Sequence, residues 1–303
     1  MILNPCTSLF LSHSADSTQF HCYSNSIFKG IHSIDNPFDI STKSNFDIDF
    51  TQNNIKILLH GWNAEPNHIS IQSVRNAYLK RNVSHVMAVD WSEIASLPYI
   101  VARDLIAIVG SRICVKLKSF IEGWNVSAAN IHIIGHSLGC HIATHVGRCF
   151  NGEIGRMTAL DPAGVLFTKF STDAVSKNDF IFLDSIHTSA GLAGEFEIRG
   201  HADFYPNRGI APQPGCEALD IFTFTACSHY RAVLFFAESI LLPTSFYAHQ
   251  CDLSLFQLPA HRNCLNGSGV VIMGEHIDRN TRGVFYLETF STTPYGKEEI
   301  QPV

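Results

Sequence analysis

The sequence has no apolar run long enough to cross a lipid bilayer. Hydrophobic residues fill 46% of its 303 positions, yet no stretch approaches the roughly 18 uninterrupted apolar residues that a transmembrane helix requires. The sequence also lacks a cluster of lysine and arginine that could follow a phosphate backbone, and 21 basic against 27 acidic residues give a formal charge of -6. We therefore expect no transmembrane segment and no nucleic-acid partner.

Signal-peptide features and domain boundaries are missing as well. The residues from Met1 to Cys6 show neither the positively charged start nor the apolar core of a secretory signal. We expect that a signal has been removed or that the sequence is partial. No internal repeat or low-complexity linker divides the chain. Since α/β enzymes of this length often form one domain, we expect a single domain over residues 1–303.

Strand and helix patterns alternate over most of the chain after residue 50. Short apolar runs predict buried strands, and longer segments with apolar residues at helical spacing predict helices between them. This alternation is typical of an α/β protein whose mostly parallel sheet is covered by helices on both faces. Before it, Ser8–Ser12 and Gln19–Tyr23 predict a hairpin. The predicted strands are Ile55–Leu59, Val86–Asp90, Ile131–Gly135, Met157–Leu160, Phe180–His187 and short ones over 270–289, and the predicted helices are His68–Arg81, Tyr99–Trp124, a segment from Leu138, and His229–Ile240.

The nine cysteines fall into two groups by their sequence neighbourhood. Six flank short polar or turn-rich segments, which favours disulfides, whereas three lie in or beside apolar helical patterns, which favours buried thiols. The six can pair in several ways, and the alternative is that all nine are reduced. Three Asn-X-Ser sequons point, with the disulfides, to a secreted extracellular protein. We prefer the pairs Cys6 with Cys22, Cys216 with Cys227, and Cys251 with Cys264, and we expect thiols at Cys114, Cys140 and Cys149.

The segment Gly135-His136-Ser137-Leu138-Gly139 carries the clearest chemical signal. It lies between a predicted strand and a predicted helix, where a serine on a strained turn can present its hydroxyl at the carboxyl edge of a sheet. Glycines are needed on both sides because a Cβ there would clash with the crowded backbone. The pattern predicts the nucleophile elbow of an α/β-hydrolase fold, with Ser137 as the nucleophile.

A serine hydroxyl becomes a strong nucleophile only with a base and an orienting acid, which in this fold follow in the chain order Ser, Asp, His. Asp161 is the preferred acid because it stands directly after a strand, at the same edge as Ser137. Asp184 is the alternative, although it lies inside a predicted strand. Among the 16 histidines, we choose His229 as the base, since it begins a helix beside a cysteine expected in a disulfide.

Ester hydrolysis also needs two backbone amides to stabilise the oxyanion. The amide of Leu138 directly follows the nucleophile, and the turn that ends the first parallel strand offers the amide of Trp62. We expect His60 to brace this turn; the alternative is an ordinary strand-ending turn. His187 and His201 are expected to be structural.

These residues resemble the animal pancreatic-lipase family, which includes triacylglycerol lipases, the phospholipases A1 of insect venoms and the yolk proteins of flies. The resemblance covers most of residues 50–290 and points to the insect phospholipase A1 or short-lid branch. It is carried by the segments Leu59-His60-Gly61-Trp62, Val89-Asp90-Trp91, Ile134-Gly135-His136-Ser137-Leu138-Gly139, Ala159-Leu160-Asp161-Pro162-Ala163-Gly164, Ser185-Ile186-His187-Thr188, Gly200-His201-Ala202-Asp203-Phe204-Tyr205-Pro206-Asn207, Pro214-Gly215-Cys216 and Ala226-Cys227-Ser228-His229-Tyr230-Arg231.

The resemblance implies the same triad, because the family places its acid in the Leu-Asp-Pro-Ala segment and its base in the Cys-x-His segment. The family's calcium loop would fall near residues 171–179, where only Asp179 keeps an expected ligand, so we expect no structural calcium. Zinc is not expected either: His141 and His145 have chelating spacing, but no third ligand is evident and helix packing explains them better. The family's C-terminal lipid-binding β domain has no counterpart in residues 1–303, so we expect no protein cofactor, and no other cofactor is implied.

The resemblance further implies that the bridge between Cys216 and Cys227 closes a lid over the active site. Here the lid has only ten residues between the two cysteines, fewer than in the family's triacylglycerol lipases. We expect Ile221, Phe222 and Phe224 to form an apolar edge that contacts lipid at a membrane or micelle surface.

Two classes of function fit these observations. The first is an enzyme that hydrolyses lipid esters through Ser137, and the short lid favours phospholipase A1 activity over a triacylglycerol or galactolipid lipase. The second is a non-catalytic lipid-binding or storage protein of the fly-yolk type, which lacks the nucleophile. Because every triad position and both elbow glycines are present, the sequence favours the enzyme.

Overall fold

The computed structural model describes residues 18–23, 55–83, 85–223, 225–251, 264 and 269–297. The strands formed by these residues all belong to one sheet of ten strands. Several are buried along their whole length, as expected for apolar runs that have helices on both sides. The strands are β1 (Gln19–Tyr23), β2 (Ile55–Leu59), β3 (Val86–Asp90), β4 (Ile131–His136), β5 (Arg156–Leu160), β6 (Leu183–Ile186), β7 (Ala202–Pro206), β8 (Tyr247–Gln250), β9 (Val270–Ile272) and β10 (Gly283–Leu287).

The order of the strands across the sheet is β1-β3-β2-β4-β5-β6-β7-β10-β8-β9. The strands from β3 to β10 in this order run parallel to one another. β1 pairs antiparallel with β3 at one end, and β8 and β9 extend the sheet antiparallel beyond β10. The predicted partner of β1 in a hairpin, Ser8–Ser12, lies outside the described residues. The expected α/β class is confirmed, and the residues that follow the parallel strands meet at one carboxyl edge.

Helices cover both faces of the sheet and create two cores. The helices of the described residues are α1 (Ile69–Lys80), α2 (Ser92–Ala95), α3 (Tyr99–Asp104), α4 (Ile106–Trp124), α5 (Leu138–Cys149), α6 (Glu217–Thr223) and α7 (Ala226–Leu241). Val109 of α4 and Ile142 of α5 share one core with Ile57 of β2. Val74 of α1 packs in the other core with α7 and with Leu58, the next residue of β2. None of these helices is long and apolar enough to cross a membrane.

Two predicted elements differ from the structure. The long helix predicted over Tyr99–Trp124 is divided into α3 and α4 at Leu105, and the Tyr99 hydroxyl donates to the carbonyl of Val165 at 2.9 Å, which ties α3 to a different part of the chain. The strand predicted over Phe180–His187 forms only as β6. Its ladder with β5 begins at Leu183, opposite the second residue of β5. Before it, the carbonyl of Phe182 accepts from the amide of Met157 at 2.9 Å, and the amide of Ile181 donates to the carbonyl of Ile154, which precedes β5.

Disulfides join three pairs of described cysteines. Two of them are expected pairs, Cys216 with Cys227 and Cys251 with Cys264. Cys140 is a buried thiol, also as expected. The pairing expected between Cys6 and Cys22 rests on side chains outside the part of the chain that the structure describes.

The expectation of thiols at Cys114 and Cys149 was wrong. The structure joins these two residues, with their Cα atoms 6.3 Å apart. Cys114 lies on α4 and Cys149 is the last residue of α5, and the two helices pack side by side on the same face of the sheet. Apolar spacing placed both cysteines on buried helix faces, but it carries no information on how two helices are rotated toward each other.

One group of buried charges lies at the amino ends of the parallel strands. Arg156, the first residue of β5, donates from Nε to Oδ1 of Asp184 at 2.8 Å and from Nη2 to Oδ2 at 3.1 Å. The Thr158 hydroxyl donates to Oδ1 of the same carboxylate at 3.0 Å. Lys56 of β2 pairs with Glu275 at 2.7 Å. Asp184, the alternative triad acid considered above, is therefore the counter-ion of a buried arginine.

Replacing Asp184 with asparagine should destabilise the protein, because the buried charge of Arg156 would lose the carboxylate that accepts two of its hydrogen bonds and would keep only the more distant Glu275, at 3.6 Å, as a counter-ion. We expect the free energy of unfolding, measured by urea denaturation, to fall by about 3–5 kcal/mol. The matched control is Asp104→Asn, which removes an exposed carboxylate 3.4 Å from Arg103 and should change stability by less than about 1 kcal/mol. Equal effects of the two variants would contradict this account.

Candidate active site

A sharp turn between β4 and α5 carries Ser137. Only this residue separates the strand from the helix, and its φ of 57° and ψ of -124° are strained for a residue with a side chain. A Cβ on Gly139 would lie 2.4 Å from the carbonyl oxygen of Leu59, so α5 can approach β2 this closely only with glycine at that position. The local geometry is that of a nucleophile elbow, which presents the serine at the carboxyl edge of the sheet.

Asp161 directly follows β5, the strand next to β4, and its carboxylate is completely buried. Oδ1 accepts hydrogen bonds from the amides of Thr188 at 2.7 Å and Ser189 at 3.1 Å. Oδ2 accepts from Nδ1–H of His229 at 2.6 Å and from the Ser189 hydroxyl. Burial by itself raises the pKa of Asp161, but the hydrogen bonds from His229 and Ser189 outweigh it and lower this pKa. The structure thus favours an ionised carboxylate beside the imidazole.

His229 lies in the first turn of α7, where its amide donates to the carbonyl of Thr225 at 2.9 Å. Its ring packs against the ring of His136, with the centroids 4.4 Å apart. Nε2 of His136 donates to the carbonyl of His229 at 3.2 Å, and burial together with the neighbouring His229 lowers the pKa of His136 well below its ordinary value. Because His136 immediately precedes Ser137, this contact holds His229 beside the elbow.

The turn after β2 packs against the elbow. A Cβ on Gly61 would lie 2.7 Å from Cβ of Ser137 and 3.3 Å from its Oγ. His60 is fully buried and stacks on Trp91; its Nδ1 donates to the Gly61 carbonyl at 2.9 Å and its Nε2 accepts from the Trp91 amide at 3.4 Å. Burial lowers the pKa of His60 to about 4, so the ring stays neutral and braces the turn as expected. Trp62 follows Gly61 directly, and its Nε1 donates to the carbonyl of Leu97 at 2.7 Å.

The segment between Cys216 and Cys227 contains α6 and is tied to α7. The buried carboxylate of Asp220 accepts a hydrogen bond from the amide of Ser228 at 3.1 Å and another from its hydroxyl. Nε of Arg231 donates to Sγ of Cys216 at 3.2 Å. These contacts fix the inner side of α6 to the first turns of α7, on either side of the helix position that carries the imidazole.

The outer side of α6 is apolar and open to solvent. Ile221 is 77% exposed and Phe222 is 81% exposed. Phe224, the third residue expected to contact lipid, lies outside the described residues. Single exposed apolar side chains are common on protein surfaces, whereas a contiguous apolar patch marks an interaction surface, and Ile221 and Phe222 are adjacent.

Comparison with known proteins identifies the family to which this chain belongs. A family model described as Lipase matches residues 3–295. The chain belongs to the lipase family. It is therefore a lipid ester hydrolase by family, and the resemblance to pancreatic lipases expected from the motifs is confirmed. Placement in the insect phospholipase A1 branch stays a prediction.

Relatives of this lipase-family chain include vertebrate enzymes. It is 30% identical over 326 residues to the pancreatic triacylglycerol lipase of Mus musculus. The aligned region covers 98% of this chain and 69% of that protein. It is 33% identical over 268 residues to the hepatic triacylglycerol lipase of Oryctolagus cuniculus. Here the aligned region covers 79% of this chain and 53% of that protein. The chain thus spans between about half and seven tenths of the length of these two lipases.

Likeness to solved structures is slight. The carboxylesterase of Bacillus cereus matches with a TM-score of 0.34 and 12% identity, over 61% of this chain and 77% of that chain. The fold class of this lipase follows from the order and direction of its own strands.

The two histidines of α5 with zinc-like spacing are not arranged to chelate a metal. In this lipase, Nε2 of His141 donates to the carbonyl of Ala163 at 2.9 Å and Nδ1 accepts from the amide of Val175 at 3.0 Å. Both ring nitrogens of His141 are therefore occupied, and it cannot form a pair of ligands with His145. Packing within the helix layer explains it, as the sequence suggested.

Other polar residues that the sequence analysis discussed have structural partners. Asp179, in the segment compared with the calcium loop of the family, accepts a hydrogen bond from Nε of Arg148 at 3.1 Å. Nε2 of His187 donates to Oδ1 of the buried Asp203 at 2.9 Å. His201 accepts at Nδ1 from a backbone amide at 3.0 Å. These contacts agree with the structural roles expected for the two histidines.

Sequence reasoning did not single out two residues that touch the Asp161–His229 pair, namely Ser189 and His136. The position of Ser189 offered a signal, because it follows β6 as Asp161 follows β5, and parallel strands bring such positions to one edge. His136 was noticed only as part of the serine motif. Its ring contact with His229 depends on where α7 packs, which no local pattern specifies.

His141 allows a prediction of pH dependence, because its burial lowers its pKa to about 3, whereas an unfolded chain has a histidine pKa of about 6.5. As the pH falls below about 6.5, the unfolded state binds this proton first, so the stabilisation that His141 provides above that pH is progressively lost. We expect the difference in free energy of unfolding between wild type and His141→Gln to shrink by about 1.4 kcal/mol per pH unit below pH 6. Urea denaturation at pH 7, 5.5 and 4.5 measures it.

The control for this measurement is Val115→Ser, because Val115 is exposed on α4 and neither residue titrates. Its difference from wild type should stay constant over the same pH range. A constant difference for His141→Gln as well would mean that the buried ring is protonated in the folded state.

Proposed function

We propose that this chain is a serine esterase with Ser137 as nucleophile, His229 as general base and Asp161 as the acid that orients it. The observation that carries the proposal is the 2.6 Å hydrogen bond between Nδ1 of His229 and the carboxylate of Asp161. With Nδ1–H committed to the carboxylate, Nε2 keeps a lone pair that can accept a proton. In the proposed arrangement this lone pair faces the Ser137 hydroxyl, which is supported by the packing of His136, the residue before Ser137, against the ring of His229.

The proposed reaction begins when Oγ of Ser137 attacks the ester carbonyl and His229 takes its proton. The amides of Trp62 and Leu138 stabilise the oxyanion of the tetrahedral intermediate, and Asp161 stabilises the imidazolium. The intermediate collapses to an acyl-enzyme as His229 protonates the departing alcohol. Water activated by the same histidine then releases the fatty acid.

We infer that the substrate is a phospholipid cut at its first acyl position. The short lid supports this, because contacts from Asp220 to Ser228 and from Arg231 to Cys216 hold it against α7. A segment that is short and fixed cannot both cover the site in water and open at an oil surface. Its exposed apolar edge can enter a membrane or micelle surface while a polar head group projects into water.

A triacylglycerol lipase is the second candidate function. The names of the relatives from mouse pancreas and rabbit liver favour it. A galactolipid lipase is a further alternative, because a galactolipid also carries a polar head group that a short lid would leave in water, so the experiment on substrates includes all three lipids.

We further propose that residues 1–303 form a single domain and that the protein works outside the cell. Three disulfides among the described residues support an oxidising compartment, where such bonds form and persist. The partner proposed is a lipid surface, contacted through Ile221, Phe222 and Phe224.

Ser137→Ala should lower ester hydrolysis by several orders of magnitude while the protein stays folded, because triad members act as a unit. Hydrolysis of a soluble short-chain ester measures the activity, and circular dichroism checks the fold. A fluorophosphonate probe should label Ser137 of the wild type and no other serine, since only this hydroxyl has an aligned base. Near-normal activity of Ser137→Ala, or labelling of another serine with Ser137 untouched, would overturn the triad assignment.

Fatty-acid release from phosphatidylcholine should exceed release from a triacylglycerol emulsion or a galactolipid, and it should rise smoothly with substrate concentration. Phe222→Ser should lower the rate on phosphatidylcholine vesicles without changing hydrolysis of the soluble ester, because its ring is 81% exposed on the lid. The matched control is Val115→Ser, on α4 and 67% exposed, which should leave both rates unchanged. A sharp rise in activity on emulsified triacylglycerol, with no release from phosphatidylcholine, would instead establish the second candidate.

A further inference from the structure

The loop after β6 encloses the carboxylate of Asp161. Two successive amides, those of Thr188 and Ser189, donate to Oδ1. The loop then closes on itself, because the amide of Gly194 donates to the carbonyl of Ser189 at 3.1 Å. A Cβ on Gly194 would lie 2.5 Å from Oδ1 of Asp161, so only glycine lets the loop come this close.

The hydroxyl of Ser189 has a defined orientation inside this loop. The side chain is completely buried, its oxygen accepts from the amide of Gly194 at 3.0 Å, and its proton is donated to Oδ2 of Asp161. The same oxygen lies 3.4 Å from Nδ1 of His229. Oδ2 therefore accepts from Ser189 and His229 together.

We propose that Ser189 is a positioning residue of the catalytic apparatus, whose hydroxyl fixes the rotation of the Asp161 carboxylate that orients His229. The inference rests on the proposed esterase function. A carboxylate attached through one rotatable bond can turn, and the amides on Oδ1 restrain only one of its oxygens. The hydroxyl on Oδ2 restrains the other, which is the oxygen bound by the imidazole.

Water cannot readily replace this hydroxyl. Loop and carboxylate are in close contact at Gly194, and the space left by removing one oxygen atom is smaller than the volume a water molecule needs. A Ser189→Ala variant would therefore leave Oδ2 with one donor fewer in a buried site, where each donor to a charged group contributes strongly.

Several titratable groups face Asp161 and could also affect it. His229 comes from α7, His136 from the end of β4, Cys140 from α5 and His187 from the end of β6. Ser189 does not titrate, so its removal changes the hydrogen bonding of the carboxylate and no charge. Since the Ser189 hydrogen bond helps to lower the pKa of Asp161, its loss should let the carboxylate bind a proton at a higher pH.

The test compares Ser189→Ala with Ser189→Thr, which restores a hydroxyl, and with Ser185→Ala as the matched control. Ser185 is also completely buried, one residue before the end of β6, but its hydroxyl donates only to the carbonyl of Ala159 at 3.4 Å. With a soluble short-chain ester, we expect Ser189→Ala to lower kcat by about tenfold or more, as for loss of a hydrogen bond to a charged group. KM should stay within about twofold, since the hydroxyl does not touch substrate.

The pH profile and a spectroscopic signal separate positioning from simple packing. In Ser189→Ala the acidic limb of kcat/KM should move to higher pH, and Ser189→Thr should move it back, whereas Ser185→Ala should leave it in place. The downfield proton NMR signal of the His229 Nδ1–H, which is bonded to Asp161, should shift in Ser189→Ala and remain in Ser185→Ala.

Each outcome supports or overturns the inference. The inference is overturned if Ser189→Ala folds and its kcat, the acidic limb of its kcat/KM profile and its His229 Nδ1–H signal are all unchanged. It is also overturned if Ser189→Ala is only less stable, with the acidic limb and the proton signal unchanged. If Ser189→Ala does not fold, Ser189→Cys keeps the size and weakens the donor, and an unchanged proton signal in that variant overturns the inference. A wild type without ester hydrolysis refutes the proposed function, while the NMR comparison still decides whether Ser189 positions the Asp161–His229 pair.

Discussion

A completely buried carboxylate must be surrounded by hydrogen-bond donors, and Asp161 imposes that requirement on the whole carboxyl edge of the sheet. Its donors come from two places, the loop after β6 and the first turn of α7. Both can reach it because β4, β5 and β6 are neighbours and parallel. The elbow, the acid and the amide-bearing loop therefore follow three adjacent strands, and α7 closes the arrangement from one face.

Much of this could be predicted from the sequence, for a physical reason. β2 and β3 have the predicted bounds because each is a short apolar run buried on both sides, and the serine motif is recognisable because crowding at Gly139 admits no side chain. What was missed depends on packing between distant segments. The bond between Cys114 and Cys149 requires the rotation of one helix against another. The contact of Ser189 with Asp161 depends on the path of a loop that local residue patterns do not specify.

The lid and the helix behind it behave as one structural unit. Asp220 bonds to Ser228, and Arg231 bonds to Cys216, so contacts fall on both sides of His229 in α7. The hydrogen bond from Ser228 to the buried Asp220 thus restrains the part of α7 that carries the imidazole of His229. The exposed apolar side chains of α6 remain available to a partner. This short helix thus carries the buried carboxylate of Asp220 on one side and the exposed apolar side chains of Ile221 and Phe222 on the other.

The disulfide between Cys114 and Cys149 also determines what a protease could do to the molecule. The two cysteines are 35 positions apart and enclose β4, the elbow and most of α5 in a covalent ring. The smaller ring between Cys216 and Cys227 encloses the exposed lid. A single backbone cut inside either ring releases no fragment, because both new ends remain attached through sulfur. Ser137 and the exposed side chains of α6 are thus both placed where hydrolysis of one peptide bond leaves the chain connected.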